Sequence, residues 1–298
     1  MRAGIVGVGK LGSIHLRIYR ELPQIAEVLI ADNDITRFTP YPELASFTNY
    51  KELLGKVDLV TVSTPTTSHF EVAKFFLEHK VPVLVEKPIT MDIKEANALL
   101  ALAKKNKTLI FVGHVERYNS AYLAVKEKIH NPLFIECHRI SPYPNRSLDI
   151  SVVLDVMIHD LDILLYLLHD KIKKIEAKGV KVLSPSEDIA NVRITFAHGC
   201  VANITASRIS LKRERKIRIF MENCYISLDL AEQQAAVYKK EGEQIHHEIL
   251  TIQKEEPLKK EITAFVEMVK HKKFAIDDAI KAKEALALAI KVQNKLRA

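Results

Sequence analysis

Six residues near the start of the chain, Gly7-Val8-Gly9-Lys10-Leu11-Gly12, constrain its fold more than any other feature. They follow a short apolar run at 2–6 and open a helical pattern that continues to about residue 20. A strand, a glycine-spaced turn and a helix in that order predict the opening unit of a parallel sheet. The alternation then persists, with strands predicted over 28–31, 58–63, 81–85 and 108–112 and helices over 68–79 and 92–106. Strands alternating with helices predict a doubly wound parallel sheet with helices on both faces.

The glycine spacing also carries chemistry. Glycines punctuate ordinary turns, so the flanking strand and helix are what give G-x-G-x-x-G its meaning. Gly7 permits a tight turn, Gly9 lets a pyrophosphate approach the backbone, and Gly12 lets helix and strand pack closely. With Lys10 and Leu11 between them, these glycines place an anion against the N–H groups of the helix start. Asp32 ends the second strand, 20 residues after Gly12. A carboxylate there accepts hydrogen bonds from ribose hydroxyls and repels a 2′-phosphate, which favours NAD while leaving NADP possible. The same Asp32-Asn33-Asp34 string also reads as a plain turn.

Beyond about residue 118 the rhythm changes. A helix is predicted over 121–129, an extended run over 134–140, a proline-broken loop at Ser141-Pro142-Tyr143-Pro144-Asn145-Arg146 and a strongly apolar helix over 152–168. Extended runs between 173 and 248, bounded by Gly, Pro, Asn and Ser, predict a mainly antiparallel sheet. Two helices, over 258–270 and 277–296, close the chain. The expected organisation is a dinucleotide-binding domain at 1–118 and a second α/β domain at 119–298.

Hydrophobic residues make up 48% of the 298 and charged residues 27%, which excludes a disordered chain. No stretch approaches the roughly 18 apolar residues of a membrane helix, and residues 1–6 run directly into a strand, so a cytoplasmic protein with no membrane contact is expected. Cys137, Cys200 and Cys224 are widely spaced and form no C-x-x-C pair, which predicts buried free thiols and no metal site. The net charge of +7 is spread over helix ends and turns, so nucleic acid is not an expected partner.

Two further strings bear functional groups. Glu86-Lys87-Pro88 follows a predicted strand and falls at the carboxyl edge of the sheet, where ligands of open parallel sheets bind. Asp155 and His159 lie four apart, and so on one face of the apolar helix, with Asp162 close to that face. Buried polar groups need partners, so these acids serve either a site or neighbouring arginines.

Taken together, the G-x-G-x-x-G start, Ser63-Thr64-Pro65 followed by His69, the Glu86-Lys87-Pro88 turn and the D-x-x-x-H helix resemble the Gfo/Idh/MocA family of NAD(P)-dependent oxidoreductases. The resemblance covers essentially the whole chain. It implies a Rossmann domain followed by an α/β domain with an open sheet, in a homodimer or homotetramer. It implies Lys87, Asp155 and His159 as the catalytic set, with Ser63, Thr64, Pro65 and His69 near the nicotinamide half of the cofactor and Glu86 beside it. One departure stands out: the family usually has glycine between the Asp and the His, where this chain has Met157, and Asp149-Ile150-Ser151-Val152-Val153 replaces a glycine-rich approach. Both bear on pocket shape more than on chemistry.

The residue types suit oxidation of a secondary alcohol, in which a hydride leaves carbon and a proton leaves oxygen. An imidazole titrates near neutrality, making His159 the natural base, while Lys87 would stabilise the developing alkoxide or act as the base itself. Asp155 would orient the substrate or support charge on His159. The strings 114–119, 141–146 and 153–160 resemble one branch of the family, similar to UDP-N-acetylglucosamine 3-dehydrogenases, which make a 3-keto sugar nucleotide for lipid A precursor synthesis. That similarity implies substrate contacts from Arg117, Tyr118 and Arg146 beside Lys87, Asp155 and His159. Arg139, Arg208 and the 212–216 run are further cations able to meet a diphosphate, although the 212–216 run reads at least as well as a solvated strand edge that discourages sheet pairing. The rival readings are a dehydrogenase of a free sugar or inositol and, in another class, an inactive NAD-binding sensor or assembly protein.

Overall fold

A computed structural model describes residues 1–143 and 150–296, which pack as two units. The first comprises Met1–His114 with Leu258–Lys283, and the second Val115–Pro257 with the chain from Glu284 onward. The division therefore falls four residues before the expected boundary, and segment 258–283 joins the first unit, not the second as expected. Its helix, Pro257–Lys270, buries Ile262, Phe265 and Val266, and Phe265 packs its ring against Phe111 of the first unit at 5.8 Å.

The first unit is built on strands β1 (Arg2–Val6), β2 (Glu27–Ala31), β3 (Ser46–Phe47), β4 (Leu59–Val62), β5 (Val83–Glu86) and β6 (Ile110–Gly113). They run parallel in the order β3-β2-β1-β4-β5-β6. This is the doubly wound order whose direction reverses between β1 and β4, the crevice where dinucleotides bind. Helices α1 (Lys10–Glu21), α2 (His69–Glu78) and α3 (Ile93–Asn106) connect strands. The inner strands β4 and β5 are buried along their whole length and apolar apart from Thr61 and Glu86, as expected for strands covered on both faces.

In the second unit, α4 (Ser120–Val125) precedes β7 (Phe134–Ile140), and a π-helical turn at Val153–Met157 leads into α5 (Ile158–Leu168). Seven strands follow: β8 (Ile172–Val180), β9 (Ile189–Phe196), β10 (Val201–Ser207), β11 (Glu214–Met221), β12 (Cys224–Asp229), β13 (Gln234–Glu241) and β14 (Gln244–Ile249). The sheet runs β14-β13-β12-β11-β7-β10-β9-β8, antiparallel except where β7 meets β10. One face is buried: Ile135, Cys137 and Arg139 of β7 point inward with Ile217 and Ile219 of β11. Cys137 and Cys200 are buried free thiols, whereas Cys224, expected to be buried, is only half so. Among the described residues no helix is long and apolar enough to cross a membrane.

Candidate active site

The glycine turn forms as its spacing requires. Gly7 has φ +90 and donates its N–H to the Ala31 carbonyl at 2.8 Å. A Cβ there would lie 2.8 Å from the Ser63 and Thr64 backbone, so the loop that follows β4 closes over the turn. A Cβ on Gly12 would overlap the Gly7 carbonyl oxygen, to which Ser63 Oγ donates at 2.8 Å. Over Gly9 there is open space, with no atom within 4 Å of a built Cβ. The helix start at Gly9 carries no capping side chain and no acidic residue in its first turn. The open N–H groups and positive dipole end fit a pyrophosphate. Asp32 is anchored beside it, accepting the Val8 N–H at 2.7 Å on one oxygen and the Asp34 N–H at 3.0 Å on the other.

Gly12→Ala is therefore expected to cost about 1–3 kcal/mol through overpacking of helix on turn. NADH affinity should fall at least about tenfold, near 1.4 kcal/mol. Titration of NADH fluorescence, with thermal unfolding as the control, checks both.

At the other end of the crevice, β5 delivers Glu86 at its last position. Glu86 pairs across the sheet with Gly113, where a Cβ would sit 2.9 Å from the carboxylate. His15 of α1, fully buried, meets Glu86 Oε1 with Nε2 at 2.9 Å. Burial alone would push the Glu86 carboxyl up, but His15, with Lys87 and His69, holds it below the usual carboxylate range. Lys87 follows, half-buried, on a cis peptide bond to Pro88. His69, at the start of α2, contacts the Pro88 carbonyl with Nδ1 at 2.9 Å and the Thr64 carbonyl with Nε2 at 3.0 Å. Thr64 also accepts from Ser68 Oγ at 2.8 Å. Asp32, Gly7, Ser63, Thr64, His69 and the Glu86–Pro88 turn thus form one connected strip, with Lys10 exposed and Leu11 half-exposed at its rim. Sequence reasoning passed over His15 and Gly113. A histidine on the buried face of α1, between Gly12 and Leu16, was the available signal.

The second unit carries Asp155 in the π turn and His159 on the first turn of α5. Both are half-buried on a helix whose neighbours Val153, Leu154, Met157, Ile158 and Leu161 are buried. A π turn inside a helix is uncommon and concentrates at functional sites. Tyr118, half-buried, closes a 3-10 turn at Val115–Tyr118. Within that turn Arg117 is buried, with Nε and Nη2 donating to the two Asp162 oxygens at 2.8 and 2.6 Å and its guanidinium 4.5 Å from the Tyr166 ring centre. Asp162 thus serves an arginine, as the structural reading of that helix allowed. Arg146 lies outside the described residues.

Two arginines expected among the phosphate-binding cations require correction. Arg139 is buried, with Nε and Nη2 on Asp160 at 2.8–3.0 Å and Nη1 on Glu116 at 2.7 Å. Arg208 is fully buried, donating to Asp188 at 3.0 Å, the Ile150 carbonyl at 2.9 Å and the Ser184 and Ser186 hydroxyls at 2.7 Å. From the 212–216 run, Arg215 reaches Glu116 at 3.3 Å. Burial pushes the Glu116 carboxyl up, but Arg139 and Arg215 hold it below the ordinary range.

Comparison with known proteins agrees with this architecture. Residues 1–114 match the GFO/IDH/MocA oxidoreductase family with its NAD-binding Rossmann fold, and residues 128–227 match the GFO/IDH/MocA C-terminal domain. The UDP-N-acetylglucosamine 3-dehydrogenase of Acidithiobacillus ferrooxidans is 31% identical over 308 residues, spanning 100% of this chain and 98% of that protein. A solved structure of that enzyme superposes with a TM-score of 0.90 at 32% identity, covering 99% of this chain and 97% of the other. The myo-inositol 2-dehydrogenase of Thermotoga maritima is 26% identical over 74% of this chain and 72% of its own length. The chain is an oxidoreductase of the GFO/IDH/MocA family with an NAD-binding Rossmann fold, acting on CH–OH groups.

Proposed function

We propose that this chain oxidises the 3-hydroxyl of a UDP-N-acetylhexosamine, UDP-N-acetylglucosamine first among them, in the cytoplasm and as a homodimer or homotetramer. The observation that carries the reading is similarity to a UDP-N-acetylglucosamine 3-dehydrogenase from end to end, where the inositol enzyme matches three quarters of the chain. A 3-keto sugar nucleotide suits later transamination, as in lipid A precursor synthesis.

NAD, when bound, supplies the hydride acceptor. Gly7, Gly9, Lys10, Leu11 and Gly12 would hold its pyrophosphate, Asp32 its adenosine ribose, and Ser63, Thr64 and Pro65 its nicotinamide half, backed by His69 and Glu86. Lys87 brings a positive charge to the substrate oxygen and lowers the cost of the alkoxide. His159 takes the hydroxyl proton, and Asp155 orients the substrate hydroxyl or balances the imidazolium. Tyr118 and Arg146 meet the sugar nucleotide, and Arg117 contributes through Asp162 and α5.

Purified protein is expected to reduce NAD with UDP-N-acetylglucosamine at a kcat/KM at least about a hundredfold above that for myo-inositol or free hexoses, near 2.7 kcal/mol of discrimination. NADH absorbance measures the rate, and NMR of the product identifies the oxidised carbon. Turnover of inositol alone would replace this reading with the polyol one. Cofactor binding without turnover of any sugar would favour the sensor.

A further inference from the structure

His69 resembles a cofactor contact in sequence, yet it is 1% exposed and its ring nitrogens face two main-chain carbonyls, those of Pro88 and Thr64. A carbonyl only accepts, and a neutral imidazole has a single N–H. The ring therefore satisfies both carbonyls only as a cation, and one of them as a neutral group. The contacts differ in reach. Thr64 lies five residues away in the same loop and helix start, whereas Pro88 lies nineteen away, on the turn that carries Lys87.

We propose that His69 is a positioning residue for Lys87: by donating Nδ1–H to the Pro88 carbonyl it ties the start of α2 to the turn on which the lysine stands. The inference rests on the reading of Lys87 as the group that meets the substrate hydroxyl. Lys87 is held on both sides, since its other neighbour, Glu86, is gripped by His15 and laid against Gly113. Burial draws the His69 pKa down, against the pull of both carbonyls and Glu86, which leaves one proton for the two contacts and makes its location decisive. The two tethers are also consecutive along the strip. His69 joins the Thr64 loop, which closes over the glycine turn, to the lysine turn, so the ends of the cofactor crevice share one buried ring.

Two substitutions separate the tethers. Asparagine places an amide N–H where Nδ1 stands, and glutamine places one where Nε2 stands. His69→Asn thus keeps the tie to Pro88, and His69→Gln keeps only the local one to Thr64. Trace acetic anhydride labelling, read by mass spectrometry, compares Lys87 with exposed Lys104 and needs neither substrate nor cofactor. His69→Asn should keep the wild-type labelling ratio. His69→Gln should change it severalfold and lower kcat about ten- to a hundredfold, as a misplacement near 1 Å does, with KM for NAD little moved. Ring 15N shifts of the wild type should show the His69 proton on Nδ1.

Equal labelling and equal kcat in the two variants, or a ring proton on Nε2, would overturn the proposal. Should His69→Gln fail to fold, the ring 15N shifts decide the matter on unaltered protein. If the wild type oxidises no sugar while the labelling ratios split as stated, the functional reading fails and the positioning role stands.

Discussion

Replacing Lys87 by methionine is expected to lower kcat with UDP-N-acetylglucosamine about 10²- to 10³-fold, roughly 2.7–4 kcal/mol of transition-state stabilisation. Methionine approximates the length of the lysine stem and fills its half-buried position, so Tm and NADH affinity should stay close to wild type. The loss then falls on the charge alone. Because the alkoxide exists only as the reaction proceeds, an interaction with it lowers kcat and kcat/KM together and leaves ground-state binding in place.

The pH profile assigns the base. If His159 takes the proton, His159→Asn removes the acidic limb of kcat/KM, and Lys87→Met lowers the whole profile while keeping that limb. If Lys87 is the base, the two outcomes exchange. A Lys87→Met variant retaining more than about half of wild-type kcat would remove this lysine from the catalytic set, since even one modest electrostatic donor is worth more than that.

How much of this was visible in sequence depends on how far apart the interacting groups lie. The glycine turn was fully legible because its three glycines, the strand before it and the helix after it occupy one short stretch. The expected helices over 92–106 and 258–270 agree with Ile93–Asn106 and Pro257–Lys270 within a residue, since a 3.6-residue period accumulates over four turns. Strand β3, only Ser46–Phe47, is too short to show any period. The π turn was invisible because Val153-Leu154-Asp155-Val156-Met157 is as apolar as the α-helix it joins. The packing of segment 258–283 was equally hidden, because an amphipathic helix announces an apolar face without naming the core that receives it.

The site showed the same division. Sequence singled out Lys87, Asp155 and His159 as groups able to do chemistry, and had no access to what holds them. Arg139 was read as a cation for a diphosphate because its partners Glu116 and Asp160 lie about twenty residues away on either side and leave no local signal, although all three are buried. The family resemblance put His69 near the nicotinamide half of the cofactor and said nothing of what its ring meets. The ring is turned toward two main-chain carbonyls, an orientation that only the packed turn determines.

Arg139→Met should lower the stability of the second unit by about 3–5 kcal/mol. The arginine stands between Asp160 of α5 and Glu116 of the 3-10 turn, whose side chains are 2% and 4% exposed. Removing it leaves two carboxylates buried where water does not reach them. Among the described residues Glu116 keeps a second ion pair, to Arg215 at 3.3 Å, and Asp160 keeps none. Arg139→Lys should recover part of the loss, since one ammonium lacks the planar fork that serves both acids. Arg139→Met combined with Asp160→Leu should recover more, because a buried pair replaced by apolar side chains is often neutral. The two units need not unfold together, so hydrogen exchange of peptides from α5 and β7 is the suitable measurement, with protection compared before and after urea. The catalytic consequence follows from chain order: His159 directly precedes Asp160, so a loosened α5 should lower kcat more than NADH affinity, whose groups lie in the first unit. A loss below about 1 kcal/mol, the range of an exposed ion pair, would mean that water reaches these acids and that α5 is held by its apolar face alone.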